Sequence, residues 1–185
     1  MSGCVIAPSA DTVAGVLTIR PATMDDLPRL TEIYNYYVRE TPSTFDTREF
    51  SVDQRQAWFE RFADRGPYRL FVGVNNDRVV GYASSQALRP KPAYDRSVET
   101  TVYLAPECTG QGYGRPLYEA LLKALRELGS VHRAYGVIVL PNDASVRLHE
   151  SLGFRQCATL EEVGHKFDRY WDTAWYQLRV DESTE

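Results

Sequence analysis

Residues 98–115 read VETTVYLAPECTGQGYGR and contain three successive signals of local structure. The first seven residues alternate between two faces, which predicts a strand with Val98 on one face and Glu99 on the other. Pro106 ends this strand, because proline has no N–H group to give to a sheet. Three glycines at alternate positions come next: Gly110, Gly112 and Gly114. Leucines at helical spacing follow them, so the stretch predicts a strand, a glycine-rich turn and a helix.

This arrangement is typical of an anion-binding site. Glycines let the backbone approach a ligand closely, and the free N–H groups at the start of the helix face it. Two common nucleotide patterns are excluded. A phosphate loop needs Gly-Lys-Ser/Thr, whereas Gly114 is followed by Arg115 and Pro116, and a dinucleotide fingerprint that begins at Gly110 needs glycine at position 115. A plain tight turn before a helix is the alternative interpretation.

The bulk composition is that of a single soluble domain. The chain has 185 residues, of which 43% are hydrophobic and 25% charged, so one sizeable core is possible. The formal net charge is −4, which argues against a nucleic-acid partner held by neutralising phosphates. Any anionic ligand must therefore be held by helix ends and a few arginines.

The three cysteines predict a reducing, cytoplasmic location. Cys4, Cys108 and Cys157 form no C-x-x-C pair, and an odd number cannot all be paired within one chain. No positive charge precedes Arg20 and the early apolar runs are short, so neither a signal peptide nor a membrane contact is expected. The three histidines lie far apart, so we expect no metal site.

Taken in order, the chain predicts the elements βααβββαβαββ. Strands are expected at 17–20, 69–74, 79–87, 98–104, 135–140, 154–160 and 175–180, with a long connection over 161–173. Ser51 with Gln54 forms a capping box for a second helix that should run to about Arg65, and Asn142 caps the last helix. Two helices before a hairpin exclude a simple doubly wound sheet. The order indicates one α/β domain with a mixed sheet and helices on both faces.

Two motifs resemble those of the GNAT N-acetyltransferases. Residues 109–114, TGQGYG, are similar to the family's acyl-CoA pyrophosphate loop, usually Gln/Arg-x-x-Gly-x-Gly/Ala, with Thr109 at the first position. Residues 141–154, PNDASVRLHESLGF, resemble the family's motif Asn-x-x-Ala/Ser-x-x-Leu-Tyr-Glu-x-x-Gly-Phe, with His149 at the tyrosine position. The resemblance implies a GNAT-like fold over residues 17–180, flanked by a flexible extension over 1–16 and a tail over 181–185.

Residues 93–106, AYDRSVETTVYLAP, closely resemble the phosphinothricin N-acetyltransferase branch of this family. In that branch the glutamate matching Glu99 is the proposed general base, which suits the chemistry because a protonated amine cannot attack a thioester. From the residue alone, Glu99 could equally face solvent or pair with an arginine. The branch also has histidine at the position of His149. That residue would protonate the leaving CoA thiolate, assist deprotonation, or only pack in its helix.

The resemblance also implies which residues hold the cofactor and the substrate. Acetyl-CoA would be held by Val102, Tyr103, Leu104, Thr109, Gly110, Gln111, Gly112, Tyr113, Gly114, Arg115, Asn142 and Ser145. The amine substrate would contact Phe45, Arg89, Tyr94 and Lys166, of which a cationic pair would hold a carboxylate or phosphinate. Cys108 adjoins the loop and invites an acyl-cysteine mechanism, but the family's pattern needs no covalent step.

These motifs predict an acetyl-CoA-dependent N-acetyltransferase for a small amino-acid-like amine such as phosphinothricin, methionine sulfoximine or methionine sulfone. Acetylation of a peptide or protein N-terminus is one alternative, and a non-catalytic acyl-CoA-binding sensor is the other. A sensor would keep the glycine loop but has no need of Glu99 and His149 together. The family implies a homodimer, for which the only hint in the residues is the aromatic cluster Phe167, Tyr170, Trp171, Trp175 and Tyr176.

Overall fold

A seven-stranded sheet organises the computed structural model, which describes residues 16–181. Apart from Val16 and Asp181, the predicted extension and tail lie outside the described residues. The elements are β1 (Thr18–Pro21), α1 (Leu27–Glu40), α2 (Val52–Phe59), β2 (Leu70–Asn75), β3 (Arg78–Ala87), β4 (Ser97–Leu104), α3 (Gly114–Leu128), β5 (Arg133–Val139), α4 (Asp143–Ser151), β6 (Arg155–Lys166) and β7 (Arg169–Arg179). The predicted order βααβββαβαββ is confirmed.

The strands lie in the order β1-β2-β3-β4-β5-β7-β6. Neighbouring strands are antiparallel except β4 and β5, which are parallel, so the sheet is mixed as predicted. The β2–β3 hairpin turns at Asn76 and Asp77, whose φ angles of 48° and 59° match a two-residue turn that suits the twist of the strands.

The parallel pair separates after a short contact. β4 and β5 are paired only at Ser97 with Arg133, Val98 with Ala134, and Glu99 with Tyr135. Both strands continue beyond these pairs, to Leu104 and Val139, without pairing with each other. Beyond Glu99 the backbone groups on these edges are therefore unpaired within the sheet. Apart from the Leu104 carbonyl, which accepts a hydrogen bond from the Tyr37 hydroxyl, they can bind a ligand in the opening between the strands.

Helices cover both faces of the sheet. On one face α3 buries a leucine stripe against β4 and β5: Leu117, Leu121, Leu122 and Leu125 pack with Val98, Ala134 and Ile138. On the other face α1 packs Leu30 and Ile33 against β2 and β3. Burying one such side chain contributes roughly 1.5–3 kcal/mol, so the two clusters fix the sheet on which the opening lies.

The second helix is shorter than its apolar pattern predicts. Ser51 and Gln54 cap its start, and the side chain of each accepts a hydrogen bond from the backbone N–H of the other. The helix ends at Phe59 instead of about Arg65. The chain then tightens into turns and closes by a bond from the N–H of Ala63 to the carbonyl of Tyr68. Phe62 continues the apolar pattern because it packs in the core, not because the helix continues.

The predicted connection over 161–173 is also wrong, because β6 and β7 continue through it as a long hairpin. Its turn is Phe167-Asp168, with φ angles of 55° and 54°. The register shifts between Leu160 and Gly164, and within this bulge the N–H of Glu162 donates to the carboxylate of Asp172. A bulge interrupts the alternation of side chains between faces, which is why the sequence pattern does not reveal the strand there.

Candidate active site

The first of two cavities lies around the glycine-rich turn. This glycine-loop cavity has a volume of about 470 Å³ and is bounded by the ends of β4 and β5, the turn, and the starts of α3 and α4. Ten of the twelve residues predicted to hold acetyl-CoA line it: Val102, Tyr103, Leu104, Thr109, Gly110, Gly112, Gly114, Arg115, Asn142 and Ser145. The side chains of the other two bond elsewhere, Gln111 to the carbonyl of Glu107 and Tyr113 to the amide of Asn75.

The turn presents backbone N–H groups because glycine permits its conformation. Gly110 and Gly112 have φ angles of 74° and 83°, and a Cβ at either position would have no atom within 4 Å. The requirement for glycine is therefore one of backbone conformation and not of space. At the start of α3, the Tyr113 side chain makes no capping bond, so the first N–H groups of the helix are open to an anion. The residues present thus fit a pyrophosphate group.

The first turn of α4 forms the opposite wall. The side-chain carbonyl of Asn142 accepts a hydrogen bond from the N–H of Ser145 at 3.1 Å, which confirms the predicted cap. Both residues line the cavity, and so does His149 one turn further on. The N-cap therefore fixes the part of α4 that faces the glycine-rich turn.

His149 is 4% exposed, and both of its ring nitrogens have partners. Nδ1 lies 2.8 Å from the carbonyl oxygen of Ser145, which can only accept, so Nδ1 carries a hydrogen. Nε2 lies 3.2 Å from the hydroxyl of Tyr118, which in turn lies 2.6 Å from Oγ1 of Thr100. Burial lowers the pKa of His149, although the bond to Ser145 opposes the shift. The neutral imidazole, with Nε2 accepting from Tyr118, is therefore the resting form at neutral pH.

Gly136 on β5 makes room for this ring. A Cβ built on Gly136 would overlap Nε2 of His149 and lie 2.7 Å from its Cδ2. The glycine therefore allows the imidazole to lie directly against the strand.

The second cavity contains Glu99. This Glu99 cavity also has a volume of about 470 Å³, and it lies between β3, β4, β5, α2 and the loop that follows α1. Burial raises the pKa of the Glu99 carboxyl, while the side chain of Gln86 and the charge of Arg89 oppose the shift. Gln86 is the residue paired with Glu99 across the β3–β4 ladder. A half-buried carboxylate with a raised pKa is a stronger base than an exposed one.

The two cavities meet where β4 and β5 separate. They share the lining residues Ser43, Thr101, Tyr103, Val137 and Val139. Glu99 lines one cavity and His149 the other. A group held in the glycine-loop cavity and a group held in the Glu99 cavity can thus meet between the two strands.

The four residues expected to contact substrate are separated by the fold. Phe45 lines the Glu99 cavity, whereas Arg89 and Tyr94 are exposed and outside its lining, although the charge of Arg89 reaches Glu99. The expectation for Lys166 needs correcting. Its ammonium is buried and donates to the carbonyls of Thr41 and Thr44, each at 2.8 Å, and to that of Tyr37 at 3.4 Å. It therefore holds the loop that carries Phe45 and has no donor aimed into the cavity.

Three further residues at the site belong to none of the sequence motifs. Arg55 and Thr173 line the Glu99 cavity, and Tyr118 supports His149. In the sequence, Arg55 looks like a surface residue of a short helix, and Tyr118 like part of the apolar stripe of α3. Thr173 lies within the segment taken for a connection. The signal that the sequence offers for Thr173 is its position two residues before Trp175, where the last strand is predicted to begin.

The described part of the chain contains neither a metal-ligating cluster nor a membrane-spanning helix. Between residues 16 and 181, no group of three or more His, Cys, Asp or Glu side chains could hold a metal ion. None of the helices in that range is long and apolar enough to cross a bilayer.

Comparison with known proteins places the chain among acetyltransferases. Residues 19–175 match the family model described as the acetyltransferase (GNAT) domain. A phosphinothricin N-acetyltransferase of Streptomyces coelicolor is 50% identical, over 86% of this chain and 94% of that protein. An L-methionine sulfoximine/L-methionine sulfone acetyltransferase of Salmonella typhimurium is 39% identical, over 90% of this chain and 96% of its own length.

A solved structure agrees with these relatives. The GNAT superfamily phosphinothricin acetyltransferase of Sinorhizobium meliloti, in complex with acetyl-CoA, superposes with a TM-score of 0.86. It is 31% identical in sequence, and the match covers 91% of this chain and 90% of that one.

Proposed function

The chain belongs to the GNAT family of acetyltransferases and is an acetyl-CoA-dependent N-acetyltransferase, and we propose that it acetylates the α-amino group of a small amino-acid-like acid. The proposed substrates are phosphinothricin, methionine sulfoximine and methionine sulfone, the compounds named for the relatives. The volume of the Glu99 cavity, about 470 Å³, suits a molecule of this size.

One observation carries this proposal: two cavities meet at the separation of β4 and β5, with Glu99 on one side and the glycine-rich turn on the other. Bound acetyl-CoA supplies a thioester as the acetyl donor. The N–H groups of Gly110, Gly112 and the start of α3 would hold its pyrophosphate, and the backbone of Val102, on the edge of β4 that β5 leaves unpaired, would hold the pantetheine arm. The amine would lie in the Glu99 cavity.

We assign the general base to Glu99. The ammonium group of an amino acid must lose a proton before its nitrogen can attack the thioester carbon. Burial raises the pKa of Glu99 toward that of the amine, which makes the transfer less uphill. The neutral nitrogen would then bond to the acetyl carbon as the carbon–sulfur bond breaks, and the second proton released by the nitrogen would neutralise the departing thiolate.

His149 has a different proposed role. The lowered pKa keeps its imidazole neutral, and Nε2 already accepts from Tyr118, so an imidazolium is not available in the resting site. We assign to His149 a positioning role near the departing thiolate. Its Nε2 holds the Tyr118 hydroxyl, which also contacts Thr100, and the hydroxyl hydrogens of this series can reorient together as charge develops on the sulfur.

The properties of Cys108 favour direct transfer of the acetyl group to the amine. Burial and the charge of Glu107 raise the pKa of Cys108, which makes it a poorer nucleophile at neutral pH. Cys108 also lies outside the lining of both cavities. An acyl-cysteine intermediate therefore has no support from these residues.

We further propose a cytoplasmic homodimer. β6 is an edge strand, and it exposes Leu160 and Val163, while the adjoining turn region exposes Phe167 and Tyr170 at 50% and 60%. Light scattering after size exclusion is expected to give twice the chain mass, and Val163→Glu with Tyr170→Glu is expected to give the monomer. A monomeric wild type would contradict this assignment. The free thiols of Cys108 and Cys157 suit a reducing compartment.

Thiol release from acetyl-CoA tests the reaction. The assay would use phosphinothricin, L-methionine sulfoximine, L-methionine sulfone and a panel of amino acids, with Glu99→Gln as the control. Release that requires both an amine and Glu99 is the expected result. Acetyl-CoA binding without release on any of these amines would reject the proposed substrate class.

A further inference from the structure

Arg55 is a charged side chain buried in the wall of the Glu99 cavity. It lies on α2, is 5% exposed and lines the cavity together with Glu99 and Trp58. Two of its nitrogens, Nε and Nη2, are buried without a hydrogen-bond partner. None of the ion pairs within residues 16–181 includes Arg55. The guanidinium thus lies away from water without a counterion.

Aromatic rings hold the guanidinium by its faces. Its central carbon lies 3.7 Å from the ring centroid of Trp58 and 4.3 Å from that of Tyr34. Such stacking attracts the cation but uses the flat faces of the group and leaves the N–H donors on its edge without partners. The rings therefore orient the guanidinium of Arg55 but do not satisfy its hydrogen-bond donors.

The groups around Arg55 do not neutralise it. Burial raises the pKa of Tyr34 to about 12 and raises that of Tyr82 as well, so both phenols are neutral near pH 7. The carboxylate of Asp46 accepts a hydrogen bond from the Tyr34 hydroxyl and makes no ion pair with Arg55. The described groups thus leave the charge of Arg55 without an anionic partner, so an anion from outside is needed to pair with it.

The two unpaired donors lie on one edge of the guanidinium. Nε and Nη2 carry parallel N–H bonds, the geometry with which arginine binds both oxygens of one carboxylate. Another lining side chain is also unsatisfied, since Oγ1 of Thr173 is buried without a partner on β7. The cavity therefore contains a cationic edge and a hydroxyl, both without protein partners, in addition to the carboxylate of Glu99.

We propose that Arg55 binds the α-carboxylate of the amino-acid substrate through Nε and Nη2, and so makes a free carboxylate a condition of efficient acetylation. This inference rests on the proposed function. Among the proposed substrates, methionine sulfone has the α-carboxylate as its single anionic group, so it isolates this contact. The carboxylate on Arg55 and the amine toward Glu99 would place the substrate across the cavity. The cationic partner expected at Lys166 is thus replaced by Arg55.

The test compares L-methionine sulfone with its carboxamide, which has the same side chain and amine. Wild type is expected to prefer the acid in kcat/KM by about 100-fold, because losing one partner of a buried charge pair is costly. Arg55→Gln is expected to lower kcat/KM for the acid by about 100-fold and to leave the amide within about 3-fold. Arg55→Lys keeps the charge but loses the paired donors, and should retain part of the preference.

Arg65→Gln is the matched control, because Arg65 is an exposed arginine near α2 that lies outside the lining of the Glu99 cavity. It should retain the full preference for the acid. Acetyl-CoA affinity, measured by calorimetry, reports whether the Arg55 variants are folded. An acid-to-amide ratio near one in wild type, or a ratio unchanged in a folded Arg55→Gln variant, would overturn the inference.

Failure of the proposed function gives a different result. If wild type acetylates neither compound, calorimetric binding of L-methionine sulfone and its amide still tests Arg55 without turnover. Tighter binding of the acid that is lost in Arg55→Gln supports the inference, and equal binding of the two compounds rejects it. If Arg55→Gln does not fold, the wild-type ratio and the Arg55→Lys variant decide.

Discussion

The imidazole of His149 occupies the space that a side chain at position 136 would fill, and Gly136 is the reason it can lie there. A Cβ on Gly136 would overlap Nε2 and lie 2.7 Å from Cδ2. The backbone of Gly136 pairs with Tyr176 in the β5–β7 ladder, so the strand has little freedom to move away. The position of the ring is thus set by a residue that makes no polar contact with it.

Gly136→Ala is therefore expected to displace the ring of His149. Overpacking of this kind costs about 1–3 kcal/mol of stability. Loss of the His149–Tyr118 bond should lower kcat by up to about 100-fold. The measurements are urea unfolding and steady-state kinetics. The control is the same substitution in a His149→Ala background, where the overlap is gone and Gly136→Ala should cost little more. An equal cost in both backgrounds would contradict the contact as the cause.

The pH profile tests the base. Activity requires ionised Glu99, so kcat/KM should fall as pH decreases through its pKa. Burial raises that pKa, so the fall should begin at a higher pH than for an ordinary glutamate near 4.5. Glu99→Gln should lose most of the rate, typically 10²–10⁴-fold for a removed acid–base group, and should also lose this limb of the profile.

Arg89→Gln is a matched test of the same assignment. The charge of Arg89 lowers the pKa of Glu99, so its removal should raise that pKa further and move the acidic limb to higher pH. Arg89 is exposed and outside both cavity linings, so the rate on the plateau should change little. A limb that stays in place in Arg89→Gln would assign the titration to another group.

The glycine-rich turn should be sensitive to Gly112→Ala. With φ at 83° and no atom within 4 Å of a Cβ, the penalty is conformational, about 1–2 kcal/mol. Alanine favours other loop conformations that do not present the N–H groups, so acetyl-CoA Kd should rise about 5- to 30-fold. Gly66→Ala is the control, since Gly66 has φ at 101°, equally open space and no place in this cavity. It should lower stability and leave Kd unchanged.

Lys166→Met should loosen the loop that carries Phe45. The ammonium donates to the carbonyls of Thr41 and Thr44, and burial lowers its pKa. Loss of these bonds should cost about 1.5–3 kcal/mol in urea unfolding and raise KM for the amine. Lys123→Met, at an exposed pair with Glu127, should do neither. Direct contact between Lys166 and substrate would instead make the KM effect depend on the substrate's carboxylate.

The element order and the cofactor loop could be predicted from the residues because their signals are local. Asn142 caps α4 with a neighbour three residues away, and Gly112 adopts its φ angle without help from any distant contact. The predicted C-terminal end of α2 and the predicted connection over 161–173 were wrong because distant packing decided them. Phe62 continues an apolar pattern in a turn, and the bulge at Glu162 hides a strand.

The sequence by itself determined the order of elements, the glycine-rich turn, the position of Glu99 on a strand, and the family. Only the tertiary structure decided which charged side chains face the Glu99 cavity. Lys166 and Arg55 are both cations in the sequence, but Lys166 is surrounded by carbonyl oxygens while Arg55 is surrounded by aromatic rings. The physical reason is that satisfaction of a buried charge depends on groups that the fold brings together, and the carbonyls that satisfy Lys166 lie more than a hundred residues away in the chain.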